Sequence, residues 1–137
     1  MSSPPHIVCL GNRLRPEDAA GPRVFDRLLT MGHPDDVEVI DGGTAGLDLL
    51  TRIEASTRVV FVDAVEGFGA PGSVVLLPPE TVAELASEAF GHGAGLPYLL
   101  RLVPVVLEGS LPEMIVVGLE GEASPATVDA AARRCLD

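Results

Sequence analysis

Four side chains in this sequence have the types and the settings for chemistry: Asp18, Asp41, Asp63 and His92. Two of these carboxylates with the imidazole would present two oxygens and one nitrogen, a donor set that suits a borderline divalent ion and leaves coordination positions open. Thiolates do not join the set. Cys9 sits in an apolar run and Cys135 in a helix-like tail, so both are expected to be buried thiols rather than a disulfide or a metal site. Each of the four also has a plainer reading. Asp18 could N-cap the helix that follows it, and Asp41 before Gly42 and Gly43 suits a turn. Asp63 could hydrogen-bond the glycine-rich loop behind it, and His92, between Gly91 and Gly93, could simply be solvated. Whether the four converge depends on the elements that carry them.

Apolar runs and Gly/Pro punctuation alternate along the chain as in an α/β domain, with no internal repeat. His6-Ile7-Val8-Cys9-Leu10, closed by Gly11-Asn12, reads as a strand buried on both faces. Val24, Leu28 and Leu29, with Gly32 behind them, mark a first helix. Val37-Glu38-Val39-Ile40 is a second strand ended by Asp41-Gly42-Gly43. Leu47, Leu49, Leu50 and Ile53 make a short second helix, and Val59-Val60-Phe61-Val62 a third strand ending at Asp63. The connection from Ala64 to Gly72 is too short and too rich in glycine for a helical crossover. The fourth strand, Ser73 to Leu77, is therefore expected to return antiparallel as a hairpin. Helices at about Thr81–Ala89 and Leu96–Leu102, the second limited by Pro104, precede a last strand, Met114 to Val117. A final helix has Ser124 as N-cap and Pro125 at its first position, and runs to about Leu136.

This order predicts an α/β three-layer sandwich: a five-stranded, mostly parallel twisted sheet with one antiparallel strand and helices on both faces, as one domain over residues 1–137. If the first and third strands are neighbours, the crevice beyond their carboxyl ends is a topological switch point, where open sheets of this kind bind ligands.

Composition narrows the partners. Of 137 residues, 47% are hydrophobic and 21% charged, as in a globular domain, and the formal net charge is −11, with arginine as the only cationic residue type besides histidine. Such a deficit of positive charge speaks against nucleic acid and anionic membrane as partners. No apolar run approaches the roughly 20 residues of a membrane span. Met1-Ser2-Ser3-Pro4-Pro5 lacks the features of a signal peptide, so a cytoplasmic protein is expected. Several enzyme classes drop out as well. Gly11 and Gly21 do not make G-x-G-x-x-G, a phosphate-binding G-x-x-x-x-G-K-[ST] needs a lysine that the chain lacks, and there is no G-x-S-x-G elbow. Cys9, inside a strand, is badly placed for a nucleophile.

Val8-Cys9-Leu10-Gly11-Asn12, Glu17-Asp18-Ala19-Ala20-Gly21, Asp41-Gly42-Gly43-Thr44-Ala45-Gly46-Leu47-Asp48-Leu49-Leu50, and Val62-Asp63-Ala64 with Ala70-Pro71-Gly72 resemble, in order and spacing, the hydrogenase maturation endopeptidases. The D-G-G-T-x-G block following a G-N…D-x-x-G block is the specific part. The resemblance implies an endopeptidase that removes the C-terminal extension of a [NiFe] hydrogenase large-subunit precursor after nickel insertion, recognising the bound nickel. It places the family's metal-contacting residues on Asp18, Asp63 and His92, with Asp18 and Asp63 also as catalytic candidates. The turn Asp41-Gly42-Gly43-Thr44 is expected to hold the precursor's C-terminal segment, because two glycines let another chain approach closely. The metal is then the nickel of the substrate, for which cadmium or zinc can stand in. No organic cofactor is expected, the partner is the precursor subunit, and a monomer suffices.

The sequence departs from the family at three points: Leu10 stands before Gly11, Glu17 adds an acid beside Asp18, and Gly118-Leu119-Glu120-Gly121-Glu122 replaces the usual Pro-Glu pair. Two readings compete with the protease. One is a non-cleaving module that binds a metallocentre or a metabolite. The other is a nucleotide or flavin site at the same crevice, with Asp41 on a ribose.

Overall fold

The computed structural model describes residues 5–43, 48–54, 56–84, 95–107 and 111–137. Among these, the apolar runs pair into one sheet built from β1 (His6–Leu10), β2 (Glu38–Gly43), β3 (Arg58–Val65), β4 (Val74–Leu77) and β5 (Glu113–Glu120). The strand order is β2-β1-β3-β5-β4. All pairs are parallel except β4 with β5. The α/β expectation and the neighbouring of first and third strands both hold. The chain steps from β1 outward to β2, then back across β1 to β3, which puts the switch point between β1 and β3.

Strand periodicity builds the two faces. Val8, Leu10, Val59, Phe61, Val65 and Val116 pack with residues of α2 (Asp48–Ile53), α3 (Pro79–Ala83) and α4 (Gly95–Val106). Ile7, Cys9, Val60, Val62, Ala64, Val117 and Leu119 pack with α1 (Ala20–Met31) and α5 (Pro125–Cys135). Side chains that alternate along each strand thus fill two cores, one per face, and the result is three layers. Cys9 and Cys135 are both free and buried in the second core, as expected. Burial pushes both thiols up, Cys135 to about 12. His6 is buried as well, with Nδ1 on the Ser56 hydroxyl at 2.9 Å and Nε2 3.1 Å from the Glu38 carboxylate.

Several boundaries differ from expectation for identifiable reasons. The fourth strand is antiparallel but forms no hairpin with the third, because β5 inserts between them and supplies the partner of both. Asp41, Gly42 and Gly43 lie inside β2 rather than in a turn. The ladder continues past Cys9↔Asp41 to Leu10↔Gly43, with Gly42 as the extra residue of a bulge. Asp63 likewise lies within β3, since pairing with β5 runs on to Val65↔Glu120. In α1, Val24 and Leu28 are buried but Leu29 is exposed, one position off the buried stripe. Pro104 does not end α4. It lies in the last turn on the solvent side, where loss of one N–H is cheapest. Of the expected Thr81–Ala89 helix, residues 81–83 fall in α3, which starts earlier, at Pro79; Glu84 is its C-cap, and residues 85–89 lie outside the described residues, as does Leu47. Ser124 caps α5 as expected, accepting from the Thr127 N–H at 3.2 Å.

Helix α1 begins directly over the end of β1. A side chain on Gly21 would collide with the Leu10 carbonyl oxygen, so the helix can come this close only with glycine there. Gly21→Ala should therefore cost at least about 3 kcal/mol, at the upper end for overpacking because the obstacle is backbone. Urea denaturation of the purified variant measures it, and a midpoint equal to wild type would show that α1 can stand off from β1 without loss.

Candidate active site

The chain leaves β1 through a tight loop whose bonds are mostly its own. The Gly11 N–H donates to the Gly43 carbonyl at 3.0 Å, joining this loop to the end of β2. The Asn12 N–H is shared between the Asp18 carbonyl at 2.8 Å and Asp18 Oδ2 at 3.2 Å. The Leu14 N–H donates to Asn12 Oδ1 at 2.9 Å, and the Arg15 N–H to the Asn12 carbonyl at 3.1 Å. Asp18 closes a 3-10 turn, Pro16–Asp18, and its N–H donates to the Arg15 carbonyl at 2.9 Å. Asp18 does not cap α1: the N-cap position is Ala19, with no side-chain cap. The two adjacent acids differ in burial. Asp18 is 7% exposed, whereas the Glu17 side chain is 55% exposed and sits 3.8 Å from Arg15.

Asp63 reaches the same place from the sheet. It takes the slot between Phe61 and Val65 on the β3 face covered by α2, α3 and α4, where the strand's period calls for a hydrophobe. It is 4% exposed, and its Oδ1 accepts the Ala64 N–H at 2.8 Å. Burial pushes its carboxyl well above the usual 3.8, and the Asp18 carboxylate nearby pushes it further; the Ala64 N–H acts the other way. The glycine-rich loop behind β3 is not held by Asp63. It is held by Glu120, a buried residue at the end of β5, whose carboxylate accepts the N–H groups of Gly67 at 2.6 Å and Phe68 at 3.1 Å. An acid closing an apolar strand opposite a glycine-rich loop was the available signal for this role.

Asp41 is exposed at the rim of β2 and is held by Arg13, whose Nη2 donates to Asp41 Oδ2 at 3.0 Å. Gly11, Asn12, Arg13, Asp41 and Gly43 line an open cleft of about 300 Å³ beside the loop that carries Asp18. Gly42, between Asp41 and Gly43, is buried, and a side chain there would press on the end of the Leu10 side chain. Thr44 and His92 lie outside the described residues. Among the described residues no group of three His, Cys, Asp or Glu side chains is placed to hold a metal ion. The structure thus gathers Asp18 with Asp63, and puts Asp41 and Gly43 around an adjoining cleft.

A three-layer α/β domain with two buried carboxyls at its switch point is built for acid–base or cation chemistry on a bound substrate. Comparison with known proteins makes the class specific. Residues 22–130 match the model of the family described as hydrogenase maturation protease, and the chain belongs to that family. It is accordingly a hydrolase of the endopeptidase kind. It is 31% identical over 120 residues to the hydrogenase 2 maturation protease of Escherichia coli, covering 80% of this chain and 73% of that protein. With a putative hydrogenase maturation protease of Methanocaldococcus jannaschii it shares 29% identity over 119 residues, 85% of this chain and 75% of the relative. The structure of the hydrogenase maturating endopeptidase HybD from Escherichia coli matches with a TM-score of 0.70 at 28% identity, over 97% of this chain and 87% of that one. The crystal structure of HycI from Thermococcus kodakarensis, at 23% identity, shares the fold with a TM-score of 0.67 over 98% and 88%.

The raised Asp63 carboxyl fixes a sign for the pH dependence. An acid whose pKa is raised by folding stabilises the folded state fully below its unfolded pKa, and that contribution is lost as pH rises through the folded value. Asparagine keeps the acceptor for Ala64 and cannot ionise. Wild type should therefore lose stability relative to Asp63→Asn as pH climbs from 3.8 upward, and the variant should be no less stable at neutral pH. Urea titrations of both proteins across pH test this. A stability gap that stays constant with pH would place the Asp63 carboxyl outside the titrating set.

Proposed function

We propose that this endopeptidase removes the C-terminal extension of a [NiFe] hydrogenase large-subunit precursor after nickel insertion, and that Asp18, Asp63 and His92 meet the substrate's nickel. The carrying observation is the buried Asp18–Asp63 pair, in which burial and like charge both oppose ionisation of Asp63. A divalent cation arriving with the substrate reverses that balance, because it favours both carboxylates in their charged form. Precursor without nickel brings no such charge and leaves the pair as it is. The site is therefore selective for loaded precursor through the electrostatics of its own resting state. Cadmium or zinc would stand in for nickel in binding experiments, and the reaction calls for no organic cofactor.

The precursor's C-terminal segment would lie in the cleft lined by Asp41 and Gly43, beside the loop that carries Asp18, with Gly42 and Thr44 completing the stretch of chain that holds it. Asp18 or Asp63, once ionised against the metal, is placed to accept a proton from an attacking water. Two free, buried cysteines suit action in the cytoplasm, where thiols stay reduced.

The direct experiment incubates the protein with nickel-loaded and nickel-free precursor and follows the loss of a C-terminal peptide by mass spectrometry. Cleavage confined to loaded precursor is the expected result. Stable binding of loaded precursor with no mass loss would overturn the protease reading in favour of a non-cleaving metallocentre module. Asp63→Asn should abolish cleavage while the protein stays folded. His92→Ala should lower both cleavage and cadmium affinity, whereas His33→Ala should change neither; His33 is half-buried just past α1, with Nδ1 on the neighbouring Pro34 carbonyl. His6 is unsuited as that control because it is buried among partners.

Gly43 separates substrate holding from stability. Its φ is +53° and nothing lies within 4 Å of where a side chain would start, so Gly43→Ala brings backbone strain without a clash. That strain is about 1–2 kcal/mol. Cleavage of loaded precursor should fall by more than this loss of stability accounts for. Equal effects on rate and on thermal midpoint would make the glycine a link between strand and helix only.

A further inference from the structure

We infer that Arg13 is a positioning residue for the cleavage, holding the loop that carries Asp18 against the rim where the substrate segment lies; the inference rests on the proteolytic reading above. Its guanidinium spans three elements. Nη1 donates to Asp26 Oδ2 at 2.7 Å and Nη2 to Asp26 Oδ1 at 3.0 Å, a two-pronged bond to α1. The same Nη2 donates to Asp41 Oδ2 at 3.0 Å on β2. Two carboxylates from separate elements, which would otherwise repel, thus share one cation on the catalytic loop. Lysine could not replace it, since a planar fork is what reaches both acids at once.

The rest of the loop shows why this matters. Residues 13–17 are exposed, and Leu14 is 89% exposed, so little of this segment's apolar surface is buried. The internal bonds around Asn12 shape the loop but mostly close on Asp18 and Arg15, within the loop itself. Outward, the Gly11 N–H bond to the Gly43 carbonyl and the Arg13 guanidinium tie it to β2 and α1. The Asn12 N–H carries any shift of the loop straight to the Asp18 carboxyl. The brace adds charge to the exposed stretch that leads into the buried Asp18, and so helps to hold its carboxyl in register with the cleft. A displacement of about 1 Å in a reacting group can cost on the order of a hundredfold in rate.

The brace is half exposed, its Arg13 side chain 46% accessible and Asp26 57%, so salt should screen it and global stability should depend on it little. Steady-state cleavage of nickel-loaded precursor by wild type, Arg13→Gln, Asp26→Asn and the double variant tests this, with thermal midpoints measured alongside. Arg13→Gln should lower kcat by about 10- to 100-fold and shift the midpoint by no more than a few degrees. The double variant should fall no further than Arg13→Gln, because both changes break one linkage, and Arg13→Lys should recover only part of the rate. Rising salt should slow wild type at saturating substrate and leave Arg13→Gln unchanged, a comparison that still decides the matter if a variant folds poorly. Wild-type kcat for Arg13→Gln, multiplicative losses in the double variant, or equal salt responses would overturn the inference. A wild-type protein that never cleaves loaded precursor overturns the protease reading itself, which the variant results alone cannot do.

Discussion

Helix α1 rests on the last residue of β1 with no side chain between them at Gly21, and the position of the Asp18 loop follows from that contact. With the helix start fixed there, the chain from Gly11 to Ala19 must leave the strand, turn and re-enter within a few ångströms. That forces a compact loop whose backbone groups find partners in one another, chiefly through Asn12 and Asp18. The 3-10 turn before the helix leaves Asp18 buried on the inner side of this loop. The parallel pairing of β1 with β3, which runs to Cys9↔Val62, then brings the buried Asp63 up beside this loop.

Placing Asp63 in that register sets stability against readiness. A hydrophobe between Phe61 and Val65 would pack like its neighbours, whereas a carboxyl there loses hydration and faces a second acid. Sites kept in such a state are where natural proteins give up stability for function. Elsewhere the structure resolves its buried polar groups conservatively. Glu120 is spent on two backbone donors of the loop after β3, and His6 on Ser56 and Glu38 at the far end of the sheet.

Much of this was legible in the residues. The periodicity of the apolar runs fixed the class of fold, and Ser124-Pro125 marked the start of α5. The short link from Ala64 to Gly72 showed that β4 runs against the others, because chain length limits what a crossover can do. Its partner was not legible: nothing local in Val74–Leu77 says that a strand forty residues later will intervene, and pairing of that kind is decided by the two cores. The strand ends at Asp41–Gly43 and Asp63–Val65 were missed for a similar reason. Glycine and aspartate disfavour strands taken alone, but a bulge and a long β5 partner override them. Asp18 and Asp63 were found by type, position and resemblance. Arg13 and Glu120 escaped, since their roles lie in contacts with Asp26, Asp41, Gly67 and Phe68 that spacing does not encode.

The insertion of β5 between β3 and β4 also has consequences for how the chain reaches this state. Among the described strands β3 has the longest buried run, and along all eight of its residues one side is completed by Glu113–Glu120, more than forty residues downstream. During synthesis, Val59–Val65 therefore emerges long before the strand that will cover it. β4, which comes out next, cannot take that place without displacing the native order. Sheets completed by distant partners form slowly and keep hydrophobic edges open while they wait. The intermediate at risk of aggregation is thus the chain translated through β4, and the last strand acts as the closing piece that ends the hazard.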